Sequence, residues 1–181
     1  VDVTFGGGGH SREIMKHLGP NGKLFGFDQD TDALANTIDD ERFVLINENF
    51  RFIKRFLRFY GVKQVDGILA DFGVSSHQFD VAERGFSTRF DGALDMRMNQ
   101  NDTLSAFEVI NDYTENELKR VFLDFGELKN GGAMANVIVS ARADKKIKNS
   151  EQLKEVLSRF LPGHKANKIL GEINKLVMVL L

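Results

Sequence analysis

The chain is expected to be an α/β protein built on a parallel sheet with helices on both faces, joined to a separate helical module. Two patterns predict this. Residues 1–80 alternate strand-like and helix-like stretches, the signature of parallel strands linked by helical crossovers. From about Ser105 onward only helical periodicity is present.

Val1, Val3 and Phe5 alternate as a strand that Gly6-Gly7-Gly8-Gly9 breaks, and Ser11 is placed to cap a helix carrying Ile14, Met15 and Leu18 on one face. Gly19-Pro20-Asn21-Gly22 stops that helix, and Lys23 to Phe27 forms the next strand, ending at Asp28. Thr31 to Ile38 reads as a short helix burying Leu34, Ala35 and Ile38. Phe43-Val44-Leu45-Ile46 is an unbroken apolar run, as a strand covered on both faces requires. Arg51 to Tyr60 is amphipathic, with Ile53, Phe56, Leu57 and Tyr60 at helical spacing, and Val65 to Ala70 is a fourth strand terminating at Asp71. Crossovers between these strands should be right-handed. In the second half, helices are predicted over Leu104 to Ile110, Glu115 to Phe125, Ala133 to Ala143 and Ser150 to Leu161, with Thr114 and Ser150 at two of the amino termini. The domains expected are residues 1–80, an inserted helical unit 81–166 and a return at 167–181.

Composition excludes several chemistries. The 181 residues contain no Cys, which removes disulfides, thiolate nucleophiles and sulfur-bound zinc; no metal site is expected. No apolar run reaches the roughly 18 residues of a membrane span, and no membrane partner is expected. The opening Val1 to Phe5 has no signal-peptide pattern; it lacks an initiator Met and starts inside a strand, so the natural start is expected to lie upstream. A cytoplasmic location is the expectation. The net charge of −2 advertises no polyanion partner, so any nucleic-acid surface must be local. Sixteen Phe against two Tyr and no Trp are expected to be mostly core.

Ligands of open parallel sheets sit at the carboxyl ends of the strands, and three features fall there. The glycine run lets the backbone approach a ligand closely beside the free amides of a helix start. Asp28, some 20 residues beyond the first strand, is placed to accept hydrogen bonds from both hydroxyls of a ribose. Asp71 ends the fourth strand and opens Asp71-Phe72-Gly73-Val74-Ser75-Ser76-His77-Gln78. The loop and Asp28 alone suit NAD as well as S-adenosylmethionine. Counting from Gly6, however, the sixth position is Ser11 where a dinucleotide fingerprint needs Gly, and a ligand without a pyrophosphate loses nothing by that. The plainer alternative is a tight turn with a surface Asp.

At this point the chain resembles a known family. Asp2 to Ser11, Phe27-Asp28-Gln29-Asp30, Val65 to Gln78, Glu83-Arg84-Gly85-Phe86-Ser87, Asp91 to Met98 and Gly126 to Asn130 are similar, in order and without gaps, to the RsmH (MraW) family. The resemblance implies a Rossmann-like class I SAM-dependent methyltransferase fold with an inserted helical domain. It implies S-adenosyl-L-methionine as cofactor and N4 of a cytidine in the decoding region of small-subunit (16S) ribosomal RNA as target. The partner is then that RNA or the assembled small subunit; oligomeric state is left open, a dimer among the options. By position, Gly8, Gly9, His10, Asp28, Phe50, Asp71 and Gln78 correspond to cofactor contacts, with Phe50 on the adenine face. Asp71 is also the candidate catalytic residue, serving the cofactor first and the target amine second. Arg84 and Phe86 are candidates for RNA phosphate and base, against the alternative that Arg84 pairs with a carboxylate and Phe86 is core. Lys145 and Lys146 belong to the one dense basic run, with Arg142 and Lys148, which a solvated helix end explains equally well.

The sequence departs from that family in places. His77 stands where the family usually has Pro, and Leu128 where it has an acidic or polar residue. After His164-Lys165-Ala166 the family's pattern breaks off, and residues are expected to be missing near the 173/174 join. The competing functional readings are a methyltransferase for another RNA or amine and a non-catalytic RNA-binding module.

Overall fold

The computed structural model describes residues 1–87, 91–125, 128–160 and 171. The chain divides into two compact units, Val1–Ser75 and Ser76–Leu181, so the division falls slightly ahead of the 80/81 boundary expected from the sequence.

In the first unit, strands β1 (Leu24–Phe27) and β2 (Phe43–Ile46) pair in parallel, Leu24 opposite Phe43 and Phe27 opposite Ile46. The amino-terminal segment lies on the other side of β1. Asp2 forms parallel bridges to both Gly26 and Leu69, so the spatial order is β2, β1, residues 1–5, then residues 67–69. The chain therefore reverses its direction of strand addition at the amino-terminal segment, which creates a switch point at the carboxyl edge. The amino-terminal and 67–69 segments are joined through single bridges instead of full ladders. The amide of Phe5 still reaches the carbonyl of Phe27 at 3.0 Å, and that of Val3 the carbonyl of Leu69 at 2.9 Å.

Alternation along the strands divides the core between the two faces. Leu24 and Phe43 pack with Phe5, Met15 and Ala33 under helix α1 (Gly9–His17), while Phe25, Phe27 and Ile46 pack with Leu57 under helix α2 (Ile53–Phe59). Gly26 permits the first packing: a Cβ there would lie 2.9 Å from the ring of Phe43, whose centroid is 5.2 Å from that of Phe5. The 31–38 helix is a 3₁₀ turn, Thr31–Asn36, capped by Asp30. Its tighter period rotates the face, so Ala33 is buried while Leu34 is 46% exposed, contrary to the pattern read at 3.6 residues per turn. Ser11 does not cap α1. Left-handed Gly8 precedes the helix without a side-chain cap, and Ser11 turns inward instead.

That inward turn meets Asp2, a carboxylate only 1% exposed. The Ser11 hydroxyl donates to Asp2 at 2.7 Å and the Thr4 amide at 3.1 Å. A buried carboxylate is tolerated only with such donors.

The second unit is helical among its described residues. Helices α3 (Ser76–Asp80) and α4 (Ala106–Asp112) are followed by α5 (Glu115–Arg120), α6 (Gly131–Asp144) and α7 (Ser150–Leu157). Ser105 with Glu108 and Thr114 with Glu117 form capping boxes at α4 and α5, while α7 is capped by Asn149 and not by Ser150. Ser150 instead lies in a hydrogen-bonded knot around Asp91, whose carboxylate also receives the amide of Glu151 at 3.1 Å. Ile110, Leu118, Phe122, Ile138 and Leu157 form the interior. Among the described residues Phe5, Phe25, Phe27, Phe43, Phe86 and Phe122 are buried, whereas Phe50, Phe59, Phe72 and Phe79 are exposed. The expected return segment, 167–181, lies outside the described residues except for Gly171.

Ser11→Ala leaves one oxygen of Asp2 without its hydroxyl donor. Chemical denaturation of this variant should show a loss of about 1–3 kcal/mol.

Candidate functional site

The carboxyl edge of the first unit gathers the segments that the sequence pattern placed there. Asp28 follows β1 directly, and its two carboxylate oxygens accept from the Gly6 amide at 2.7 Å and the Asp30 amide at 2.9 Å. The glycine loop and the acid are thus in direct contact. Burial raises the pKa of Asp28 above its ordinary 3.8, and the two amide hydrogen bonds only partly counter that; the charges of Asp30 and Asp2 push it up further. An ionised carboxylate has about four lone-pair positions, so two amides leave room for further donors.

Gly8 makes the turn from strand to helix in the left-handed region at φ 73°. A Cβ there would lie 2.8 Å from the Phe5 ring and 2.8 Å from Arg12. Gly9 and His10 lie exposed in the first turn of α1. First-turn amides have no intrahelical acceptor, and the helix dipole makes this end attractive to an anion.

Asp71 is exposed just past the 67–69 segment, with its amide donating to the Thr4 hydroxyl at 2.8 Å. Since the Thr4 amide donates to Asp2, the buried carboxylate also sets the position of the Asp71 backbone. Ser75, beyond Asp71, comes close enough that a Cβ on Gly6 would contact it at 3.8 Å. Phe50 begins the 3₁₀ turn after β2, capped by Asn49, whose side-chain amide donates to Gln29 at 2.7 Å. The Phe50 ring lies 5.5 Å from that of Phe72, and both are exposed, at 40% and 70%.

Gly8, Gly9, His10, Asp28, Phe50 and Asp71 therefore share one edge of one unit. Gln78 belongs to the second unit, where it is buried and its amide donates to the sulfur of Met98 at 3.4 Å. Sequence reasoning missed Asn47, which donates to the carbonyl of Asp28 at 2.8 Å, and it missed Phe72. The available signal was position: both residues sit just past strand ends, as Asp28 and Asp71 do.

The expected RNA contacts fare differently. Arg84 and Phe86 are interior, 3% and 2% exposed, with the guanidinium 5.7 Å from the Phe86 ring and donating to the carbonyl of Arg97 at 3.0 Å. Phe86 is core, as the alternative had it, and Arg84 is held inside the fold, donating to the carbonyls of Arg97 and Met98. In the basic run, Arg142 donates to the carbonyls of Ile110 and Tyr113, joining α6 to the end of α4. Lys146 pairs with Asp112 at 3.1 Å and lies 5.3 Å from the Phe107 ring. Lys145 and Lys148 are exposed.

An open groove of about 580 Å³ lies toward the other end of the strands, lined by Val1, Leu18, Leu24, Val62 and Ile68 among others. It contains none of the acids or loop glycines described above.

Residues 1–177 match the MraW methylase family. The ribosomal RNA small subunit methyltransferase H of Flavobacterium johnsoniae is 65% identical over 179 residues, covering 99% of this chain and 59% of that protein. Its namesake from Christiangramia forsetii is 63% identical, with 99% of this chain and 59% of that protein covered. The Bacteroides fragilis protein of the same name is 50% identical over 173 residues, covering 96% and 57%. The chain thus spans about three-fifths of the length of these relatives.

Gly8→Ala forces a side chain into left-handed backbone, at a cost of about 1–2 kcal/mol before any clash with Phe5 is counted. Thermal melting should register the loss, and backbone amide shifts should change through the Gly6–His10 loop.

Proposed function

The chain belongs to the MraW methylase family, and on that premise we propose that its carboxyl-edge site binds S-adenosylmethionine for methyl transfer to a ribosomal RNA base. The carrying observation is the 2.7 Å hydrogen bond from the Gly6 amide to Asp28, which puts the glycine loop and the ribose-type acceptor in one place. The donor set suits the cofactor. Asp28 retains lone pairs for ribose hydroxyls, the start of α1 favours the methionine carboxylate, and Phe50 with Phe72 offers aromatic surface to adenine. When bound, the sulfonium supplies an electrophilic methyl group.

The acceptor in this reading is the exocyclic N4 of a cytidine in 16S ribosomal RNA: the names of the relatives supply the small-subunit RNA, and the resemblance of the motifs implies the base and atom. Such an amine is a weak nucleophile because its lone pair is delocalised into the ring. It needs alignment and a hydrogen-bond acceptor, while its proton becomes acidic only as the N–C bond forms. Asp71 is exposed at this edge with its backbone held through Thr4. It serves the cofactor first and accepts from the amine second. Gln78 stays a further cofactor contact in this reading, as the resemblance of the motifs implies. The second unit is the inserted helical domain in this reading, and the exposed Lys145 and Lys148 take the role of RNA-facing charges in place of the buried Arg84. A cytoplasmic setting follows from the substrate, and no helix among the described residues is long and apolar enough to cross a membrane.

The test is a methyl-transfer assay of the full chain on naked small-subunit RNA, assembled small subunits and protein extract, alongside calorimetry with S-adenosylmethionine. Methylated cytidine in RNA is expected; absence of cofactor binding would reduce the protein to an RNA-binding module. Asp71→Asn should weaken cofactor affinity, while unchanged affinity with lost turnover would shift its role to the amine.

The pH dependence follows from Asp28. Its ionised form accepts from the ribose, and its pKa lies above the usual 3.8. Affinity should therefore be full at neutral pH and fall on acidification, starting at a higher pH than an ordinary Asp would give. Asp28→Asn should bind more weakly and flatten that profile in a titration series.

A further inference from the structure

Arg12 lies on the exposed side of the first turn of α1, and no sequence motif drew attention to it. Its guanidinium reaches back over the glycine loop. One terminal nitrogen donates to the carbonyl of Gly7 at 2.5 Å, and the other to the carbonyl of Asn36 at 2.7 Å. Asn36 returns a bond, its side-chain amide donating to the carbonyl of Gly6 at 3.2 Å. Three hydrogen bonds thus clasp the glycine loop to the far end of the Thr31–Asn36 turn.

A planar trans peptide points its carbonyl and its N–H in opposite directions. Holding the Gly6 and Gly7 carbonyls toward Asn36 and Arg12 therefore sets where the amides of Gly7 and Gly8 point. The Gly8 amide accordingly meets the carbonyl of Phe5 at 2.8 Å. Four consecutive glycines have the widest conformational freedom of any tetrapeptide, so without such ties a ligand would have to order the loop itself. A guanidinium suits the task because its nitrogens are rigidly spaced, whereas the ammonium of Lys is a single point on a flexible stem.

We propose that Arg12 is a positioning residue for the cofactor site, acting through Gly7 and Asn36 to hold the glycine loop in its binding form. The proposal rests on the methyl-donor reading of this edge. The clasp is solvent-exposed, so its removal should disturb loop order more than global stability.

The experiment is calorimetry of the full chain with S-adenosylmethionine and S-adenosylhomocysteine, comparing wild type, Arg12→Ala, Arg12→Lys and Asn36→Ala. Loss of charge-assisted hydrogen bonds should raise Kd about tenfold in Arg12→Ala. Arg12→Lys should recover part of that, and Asn36→Ala should show a smaller rise. Combining Arg12→Ala with Asn36→Ala should cost less than the product of the two, since both open one clasp. KM for the methyl donor should rise with kcat preserved, and amide exchange should quicken at Gly7 and Gly8 in the ligand-free protein. A wild type that binds neither nucleoside overturns the methyl-donor reading and this role with it. A binding-competent wild type with undiminished affinity in Arg12→Ala overturns the positioning role alone. If Arg12→Ala fails to fold, Arg12→Lys decides: wild-type affinity and exchange there refute the clasp.

Discussion

The first unit depends on how the buried carboxylate of Asp2 is satisfied. Its backbone sits at the centre of the sheet, bridged on one side to Gly26 and on the other to Leu69. Its side chain takes the Ser11 hydroxyl from α1 and the Thr4 amide from its own segment. Through Ser11 it sets the height of the helix whose start flanks the glycine loop. Through Thr4, whose hydroxyl accepts from the amide of Asp71, it sets the backbone that carries the second acid. A charge left in apolar surroundings without these donors would be strongly disfavoured, so loop, helix and acid are positioned together.

A second chain of contacts runs around the carboxyl edge. Gly6 donates to Asp28, Asn47 donates to the carbonyl of Asp28, and Asn49 joins Gln29 to the turn that bears Phe50. Phe50 then meets Phe72, which returns the circuit to Asp71. Each participant lies within a few residues of a strand end. The edge is thus a ring of side chains and backbone amides supported by a sheet with apolar packing on both faces. Small polar residues dominate because they must satisfy backbone groups left over where strands stop.

The second unit follows different constraints. Helices α4 and α5 start at capping boxes, the unit closes around an apolar interior, and Arg84 and Arg142 are used as internal fasteners, donating to backbone carbonyls. An arginine can serve in this way because its long apolar stem packs while its donors find acceptors. Charge that looks available for RNA in the sequence is partly committed to holding helix ends.

Strand and helix alternation, the apolar run of β2, and the glycine loop followed by acids at strand ends were legible in the sequence, because period and chain breaks are local properties. The family resemblance was legible for the same reason, since it rests on contiguous motifs. Tertiary structure decided which residues met. Ser11 left the cap for Asp2, Ala33 replaced Leu34 in the core once the turn tightened to 3₁₀, and Arg84 and Phe86 went inside. Arg12 and Asn36 became partners across 24 residues. No local pattern encodes such choices. A side chain's partner depends on which donors and acceptors remain unsatisfied after packing, and that is known only when the whole unit has closed around them.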